Sequence, residues 1–171
     1  MIVHINNKHH GMQRIKLRNL ARLYPKLKKR STAESLFKIG DIVQDRWVVN
    51  GLIGRGGYGQ IFVATDNLGQ ETQGVAIKSE PKMRKGRLSK RMILEQKVLL
   101  RLQGRVHVPL LWASGSTERV NYIIMQLLSQ NLNDIRKQSP FKRFSRPTMA
   151  RIVIQVNIIL SKSCGYYTYN S

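Results

Sequence analysis

An α+β fold is predicted by the order of elements along the chain and by two of their details. Three strand-like runs come first, then one helix, then two more strands and finally helices, which segregates sheet from helix. The strand-like runs alternate or are β-branched and are separated by glycine-bearing turns. The first helix carries apolar residues at helical spacing and is stopped by a glycine.

The run from Arg46 to Ile53 (RWVVNGLI) reads as a strand bounded by the glycine-rich stretch 54–59. Gln60 to Thr65 alternates and makes the second strand, and the polar, glycine-bearing stretch from Asp66 to Gly74 is a turn. Val75 to Lys78 is a short third strand, followed by a basic loop from Pro81 to Ser89. Lys90 to Gln103 places Met92, Val98, Leu99 and Leu102 around Glu95, and Gly104 ends it as a helix. Val108 to Ser114 and Tyr122 to Leu128 supply two further strands. Asn131 to Lys137 is a short helix, and Thr148 to Leu160 an apolar, buried one. Internal repeats are absent.

A chain of 171 residues is one domain and a little more, and 42 % apolar residues is an ordinary globular share. The greasiest stretch, Ile152 to Leu160, is interrupted by Gln155 and Asn157, so no membrane span is expected. A single cysteine, Cys164, excludes an internal disulfide and a cysteine-cluster metal site, and suits a reducing compartment, cytoplasmic or nuclear. The net charge of +21 favours anionic partners: acidic or phosphorylated protein surfaces, or nucleic acid bound without sequence preference.

Residues 1–36 differ in composition from the rest of the chain and are expected to form a basic, flexible extension. Nine Lys or Arg lie between Lys8 and Arg30, with no acid before Glu34. Met12, Ile15, Leu20, Leu23 and Leu27 recur at roughly helical spacing until Pro25 interrupts. Three readings stay open: a solvated tail, an amphipathic mitochondrial presequence (although serine is scarce before Ser31), and a polybasic anchor for nucleic acid or anionic lipid. His9 and His10 have no ligand partner nearby and read as surface residues.

The motif that carries chemistry is G-x-G-x-x-G over Gly54, Gly56 and Gly59. In a dinucleotide fold such glycines open a helix. Here an alternating, β-branched strand comes next, which makes the glycines a flap between two antiparallel strands, able to close over nucleotide phosphates. Lys78 then stands in an apolar strand, where an ammonium is costly to bury without a partner. Two partners are available, the α/β-phosphates of ATP and a carboxylate on the next helix, where Glu95 is the sole acid. Alone, Lys78 would read as an edge-strand lysine reaching water. Flap, lysine and helical glutamate in this order look like the N-terminal lobe of a protein kinase.

Several further phrases resemble the casein kinase I superfamily, and most of all its tau-tubulin kinase branch. They are Gly40, Val43 and Arg46-Trp47 before the flap, GGYGQIFVATD over 56–66, VAIK over 75–78, and Leu102-Gln103-Gly104 with His107-Val108-Pro109. NYIIMQLL over 121–128 with Asn131, Leu132 and Asp134, and Phe144-Ser145 with Thr148, complete the set. The resemblance implies a lobe of five antiparallel strands plus one helix over 37–128, then the first helices of an incomplete second lobe over 129–171. It implies ATP as ligand, with Gly54, Gly56 and Gly59 as phosphate flap, and Ile53 and Ile61 lining the adenine pocket. Ala76 would pack on adenine and Lys78 would orient the phosphates while pairing with Glu95. Met125 would be the gatekeeper, with Gln126 to Leu128 the hinge whose backbone bonds the adenine edge. Ser129 stands where the family usually has glycine.

The remaining kinase chemistry needs a catalytic-loop Asp, an Asn and the Asp of D-F-G, the last two binding Mg²⁺. No carboxylate follows Asp134, so the last 37 residues supply no base and no acidic metal ligand. CGYYTYN over 164–170 begins like the family's phrase before its catalytic loop and then departs. The chain as written is therefore expected to bind ATP without transferring phosphate, with Mg²⁺ relevant only if the rest of the second lobe is present. It reads as a truncated or alternatively terminated product whose Ile152, Val153, Val156, Ile158, Ile159 and Leu160 lack cover. Two other readings are a basic interaction module, using 8–30 and the run Lys82 to Arg91, and a product without function.

Overall fold

The computed structural model describes residues 3–4, 34–57, 59–68 and 74–164. The readings made for the basic extension up to residue 33, for the end of the 66–74 turn and for the phrase beyond Cys164 lie outside these residues, residues 3–4 apart. In chain order the elements are β1 (Val3–His4), β2 (Ile42–Val43), β3 (Trp47–Gly56), β4 (Gly59–Asp66), β5 (Gly74–Pro81), β6 (Met83–Arg84) and β7 (Arg87–Leu88). Helix α1 (Arg91–Leu102), β8 (Leu111–Ser116), β9 (Val120–Gln126), α2 (Leu132–Gln138) and α3 (Arg146–Cys164) complete the chain.

The main sheet is antiparallel throughout, in the order β1-β8-β9-β5-β4-β3-β2. Its five long strands are those the sequence predicts. The count is seven rather than five because a two-residue strand closes each edge, and so short a run carries no readable alternation.

Alternation along the strands sorts side chains onto two faces. On one face Val49, Phe62, Ala64, Val75, Ile77, Tyr122 and Ile124 pack with Trp47 and Phe37 into the main core. Phe37 meets Phe62 and Tyr122 edge-on, with ring centroids 5.6 and 5.9 Å apart. Buried Gln60 fixes the chain as it enters this core, its Oε1 accepting the Leu36 N–H at 2.9 Å and its Nε2 donating to the Glu34 carbonyl at 2.9 Å. Register shifts between Val49 and Gly51 and between Leu52 and Gly54 mark bulges in β3, which increase local twist. On the opposite face α1 buries Met92 against Leu111 and Ile123, with Leu99 and Met125 beside them.

Four expectations are corrected. The segment from Pro81 to Ser89 is not a loop but contains the β6–β7 hairpin, turned by Lys85 and Gly86, both at positive φ (49° and 73°). The strand expected at Val108 begins at Leu111, because Pro109 has no N–H to give a ladder. Its neighbour runs from Val120 to Gln126 rather than to Leu128. The last helix is longer than expected and is not buried: Ile152 and Ile159 are half-buried, while Met149, Val153, Ile154, Val156 and Ile158 are exposed. Ser145 starts it, accepting from the Thr148 N–H at 3.3 Å, but no described element packs extensively along it. Among the described residues no helix is long and apolar enough to cross a membrane.

The open end of the β3–β4 hairpin is closed by Arg46, whose Nε and Nη2 donate to the two oxygens of Asp66 at 2.8 and 2.5 Å. Arg46 also lies over the Trp47 ring, 5.0 Å from its centroid. Burial pulls the Asp66 carboxyl up, but the bonds from Arg46 and from the Leu68 N–H outweigh it and hold the group below its ordinary 3.8. A lowered carboxyl stabilises the fold above its unfolded value and loses that contribution as pH falls through the folded one. Thermal denaturation should therefore show stability dropping as pH is taken from above 3.8 downward. The drop in that window should be smaller in Asp66→Asn, and an identical acid profile for the two proteins would contradict the pairing.

Candidate functional site

Strand β5 is the middle strand of the sheet, with β4 and β9 on its two sides. Lys78 therefore cannot reach water from an edge. Its Nζ donates to both oxygens of Glu95 on α1, at 2.6 and 2.7 Å, and both side chains remain partly exposed, at 26 % and 36 %. In the ladder Lys78 faces Ile61 on β4, the strand that Gly59 of the flap begins. The ammonium thus sits between the flap strand and the helix, within reach of solvent.

Beside it lies an apolar cluster on the same face of the sheet. Buried Val63, Ala76 and Leu127 form its floor, with half-buried Ile53, Ile61 and Met125 packed on them. Four of the residues singled out from the sequence, Ile53, Ile61, Ala76 and Met125, are brought together here. Val63 was not singled out, and Leu127 was read only as part of the Gln126–Leu128 hinge. Val63 was findable, since it lies two residues beyond Ile61 and shares its face. Leu127 sits between two hinge residues and gave no separate signal. Met125 belongs to this cluster and also touches the α1 packing, so it joins the two.

The hinge residues separate. The Gln126 N–H donates to the Leu110 carbonyl at 2.7 Å, and its Oε1 accepts the Leu110 N–H at 3.3 Å. Gln126 is thereby tied to the segment leading into β8, and its amide is already committed. Leu128 stands outside the cluster, 53 % exposed.

The flap glycines differ in how strictly the backbone requires them. Gly59 has φ +127°, and a Cβ there would lie 2.0 Å from the Ser79 carbonyl oxygen of β5. A Cβ on Gly54 would make only ordinary contacts with Ile61 at 3.5 Å, and one on Gly56 would meet nothing within 4 Å. Arg84 of the β6–β7 hairpin donates to the Gly57 carbonyl, linking the flap tip to the hairpin. Among the described residues no three His, Cys, Asp or Glu side chains gather as a metal site.

No protein-family model matches the chain. Its sequence is similar to several curated proteins. A Caenorhabditis elegans protein carrying the name of a casein kinase I is 48 % identical over 116 residues, which is 68 % of this chain and 33 % of that protein. A second Caenorhabditis elegans protein, named as a serine/threonine-protein kinase, is 32 % identical over 78 % of this chain and 38 % of its own length. A Dictyostelium discoideum protein, also named as a serine/threonine-protein kinase, is 30 % identical over 70 % of this chain and 23 % of its own. The chain thus spans between 23 % and 38 % of the length of these relatives.

The glycine geometry separates folding from binding. Gly59→Ala should lose more than about 1 kcal/mol of stability, since alanine meets both a positive φ and a backbone oxygen. Gly56→Ala should unfold at the parent's denaturant midpoint. Equal midpoints for all three proteins would contradict the close approach at Ser79.

Proposed function

Because the chain belongs to the casein kinase I-like serine/threonine protein kinases, we propose that residues 37–128 are the nucleotide-binding lobe of such a kinase, of the tau-tubulin kinase branch, with ATP as ligand. The observation that carries the reading is the Lys78–Glu95 pair, held at 2.6 and 2.7 Å at the border of the apolar cluster and beside the glycine flap.

The residues present fit the nucleotide. Ala76 is small, and with Val63, Leu127, Ile53 and Ile61 it makes an apolar surface on which a flat ring would pack. Gly59 keeps the flap close to β5, where a side chain would hold it away. ATP, when bound, supplies the transferable phosphoryl group. Lys78 would hold its α/β-phosphates, with Glu95 fixing the ammonium so that little side-chain entropy is lost on binding. Met125 would limit depth beyond the adenine. The hinge donor to the adenine edge would come from beyond Gln126, whose amide Leu110 already occupies.

The same residues do not fit Mg²⁺. Glu95 is committed to Lys78, and no described trio of ligands exists. These 171 residues hold no carboxylate beyond Asp134, so phosphoryl transfer to protein serine or threonine would require residues outside them. A cytoplasmic or nuclear setting, where ATP is abundant and thiols stay reduced, suits this reading.

Lys78→Met keeps most of the side chain's apolar length and removes its charge. Titration with a fluorescent ADP analogue, mant-ADP, should show affinity falling about tenfold or more, the scale of a lost bond to a charged group. Binding as tight as the parent's would remove Lys78 from the site. Incubation of the chain with radiolabelled ATP and casein should give no incorporation, and incorporation that survives in the parent but not in Lys78→Met would show the chemistry complete within these residues.

A further inference from the structure

Strand β5 sends a second charged side chain toward α1. Glu80 lies two residues beyond Lys78, hence on the same face of the strand, and is 4 % exposed. Its Oε1 accepts the Met92 N–H at 2.7 Å and its Oε2 accepts the Ser89 hydroxyl at 2.8 Å. A buried carboxylate is costly unless hydrogen-bonded, and both its oxygens are.

Helix α1 lacks the usual means of starting. Lys90, at its N-cap position, makes no side-chain cap bond, and the first turn contains no acid. The first N–H groups of a helix have no intrahelical acceptor, and its N-terminus favours negative charge. Glu80 supplies both needs from the neighbouring strand. Apolar burial cannot do the same work: Met92 is the only buried residue of α1, whereas Ile93, Leu94 and Val98 face outward. The helix is instead held by polar ties, Glu80 to Met92, Lys78 to Glu95, and Gln96 Nε2 to Ser114 Oγ at 2.7 Å.

We propose that Glu80 is a positioning residue for the nucleotide site: by capping α1 from β5 it sets the rotation and height of the helix at which Glu95 meets Lys78. The inference rests on the nucleotide-binding reading of that pair. Met92 and Glu95 are three residues apart, just under one helical turn, so a helix released at Met92 swings Glu95 directly. Ser89 completes the latch by holding the second carboxylate oxygen.

The test is a double-mutant cycle on the full 171-residue chain, read by mant-ADP titration and by amide hydrogen exchange without nucleotide. Glu80→Leu should weaken mant-ADP binding about fivefold or more, and Glu95→Gln should weaken it in the parent but add little in the Glu80→Leu background. Glu80→Gln, whose amide oxygen still accepts from Met92, should restore affinity to within about twofold of the parent. Amides 92–95 should exchange faster in Glu80→Leu than in Glu80→Gln, with β4 and β9 unchanged. A folded Glu80→Leu that binds like the parent, additive losses, or a Gln variant as poor as Leu would overturn the proposal. If the parent does not bind mant-ADP, the nucleotide reading fails and exchange decides alone: unaltered protection of α1 in Glu80→Leu overturns the latch, and selective loss supports it. Should Glu80→Leu not fold, Ser89→Ala replaces it, with faster exchange at Met92 supporting the latch and unchanged exchange overturning it.

Discussion

A positive charge in the middle strand of a sheet is the constraint around which the rest is arranged. Lys78 has strands on both sides and an apolar face around it, so its ammonium must be answered locally. Glu95 answers it and, in doing so, fixes where α1 lies. The helix has little apolar surface turned inward, and its placement follows from charge and hydrogen bonding more than from packing. A helix so held is set sharply in position, because hydrogen bonds are directional, and modestly in energy, because each contributes only about 1–3 kcal/mol net.

The two faces of one sheet divide the labour. Odd-numbered residues of β5, Val75 and Ile77, enter the main core, while Ala76 joins the second apolar cluster and Lys78 meets Glu95 on α1. Strand β4 divides in the same way, with Phe62 and Ala64 in the main core and Ile61 and Val63 in the second cluster. A one-residue slip between these strands would exchange core and site together. The bonded register from Gln60–Ser79 to Thr65–Gly74, and the Arg46–Asp66 pair at the hairpin's open end, stand against that slip.

Much of this was legible in the sequence. The five long strands declared themselves by alternation, and the glycine flap, Lys78 and Glu95 by their order. The short edge strands β1 and β2 were not legible, since two residues have no period. The β6–β7 hairpin was hidden because its turn uses Lys85, a residue with no turn preference, at positive φ. For α3 two expectations competed: the lack of cover is what the structure shows at Val153, Val156 and Ile158, and the buried reading fails because composition reports only what a helix would bury if something covered it. Glu80 was passed over because a carboxylate in a basic stretch looks like solvated surface, and only the three-dimensional meeting of β5 with the start of α1 gives it a role.

The uncovered apolar residues of α3 have a thermodynamic consequence. Heat-capacity change and denaturant sensitivity on unfolding both scale with the surface newly exposed to water. Met149, Val153, Ile154, Val156 and Ile158 already face solvent in the folded chain, so melting the helix hydrates little that was dry. Per residue, both quantities should fall below those of a globular domain of equal length. Cooperative unfolding then belongs to the sheet and α1, and α3 melts on its own shallow curve.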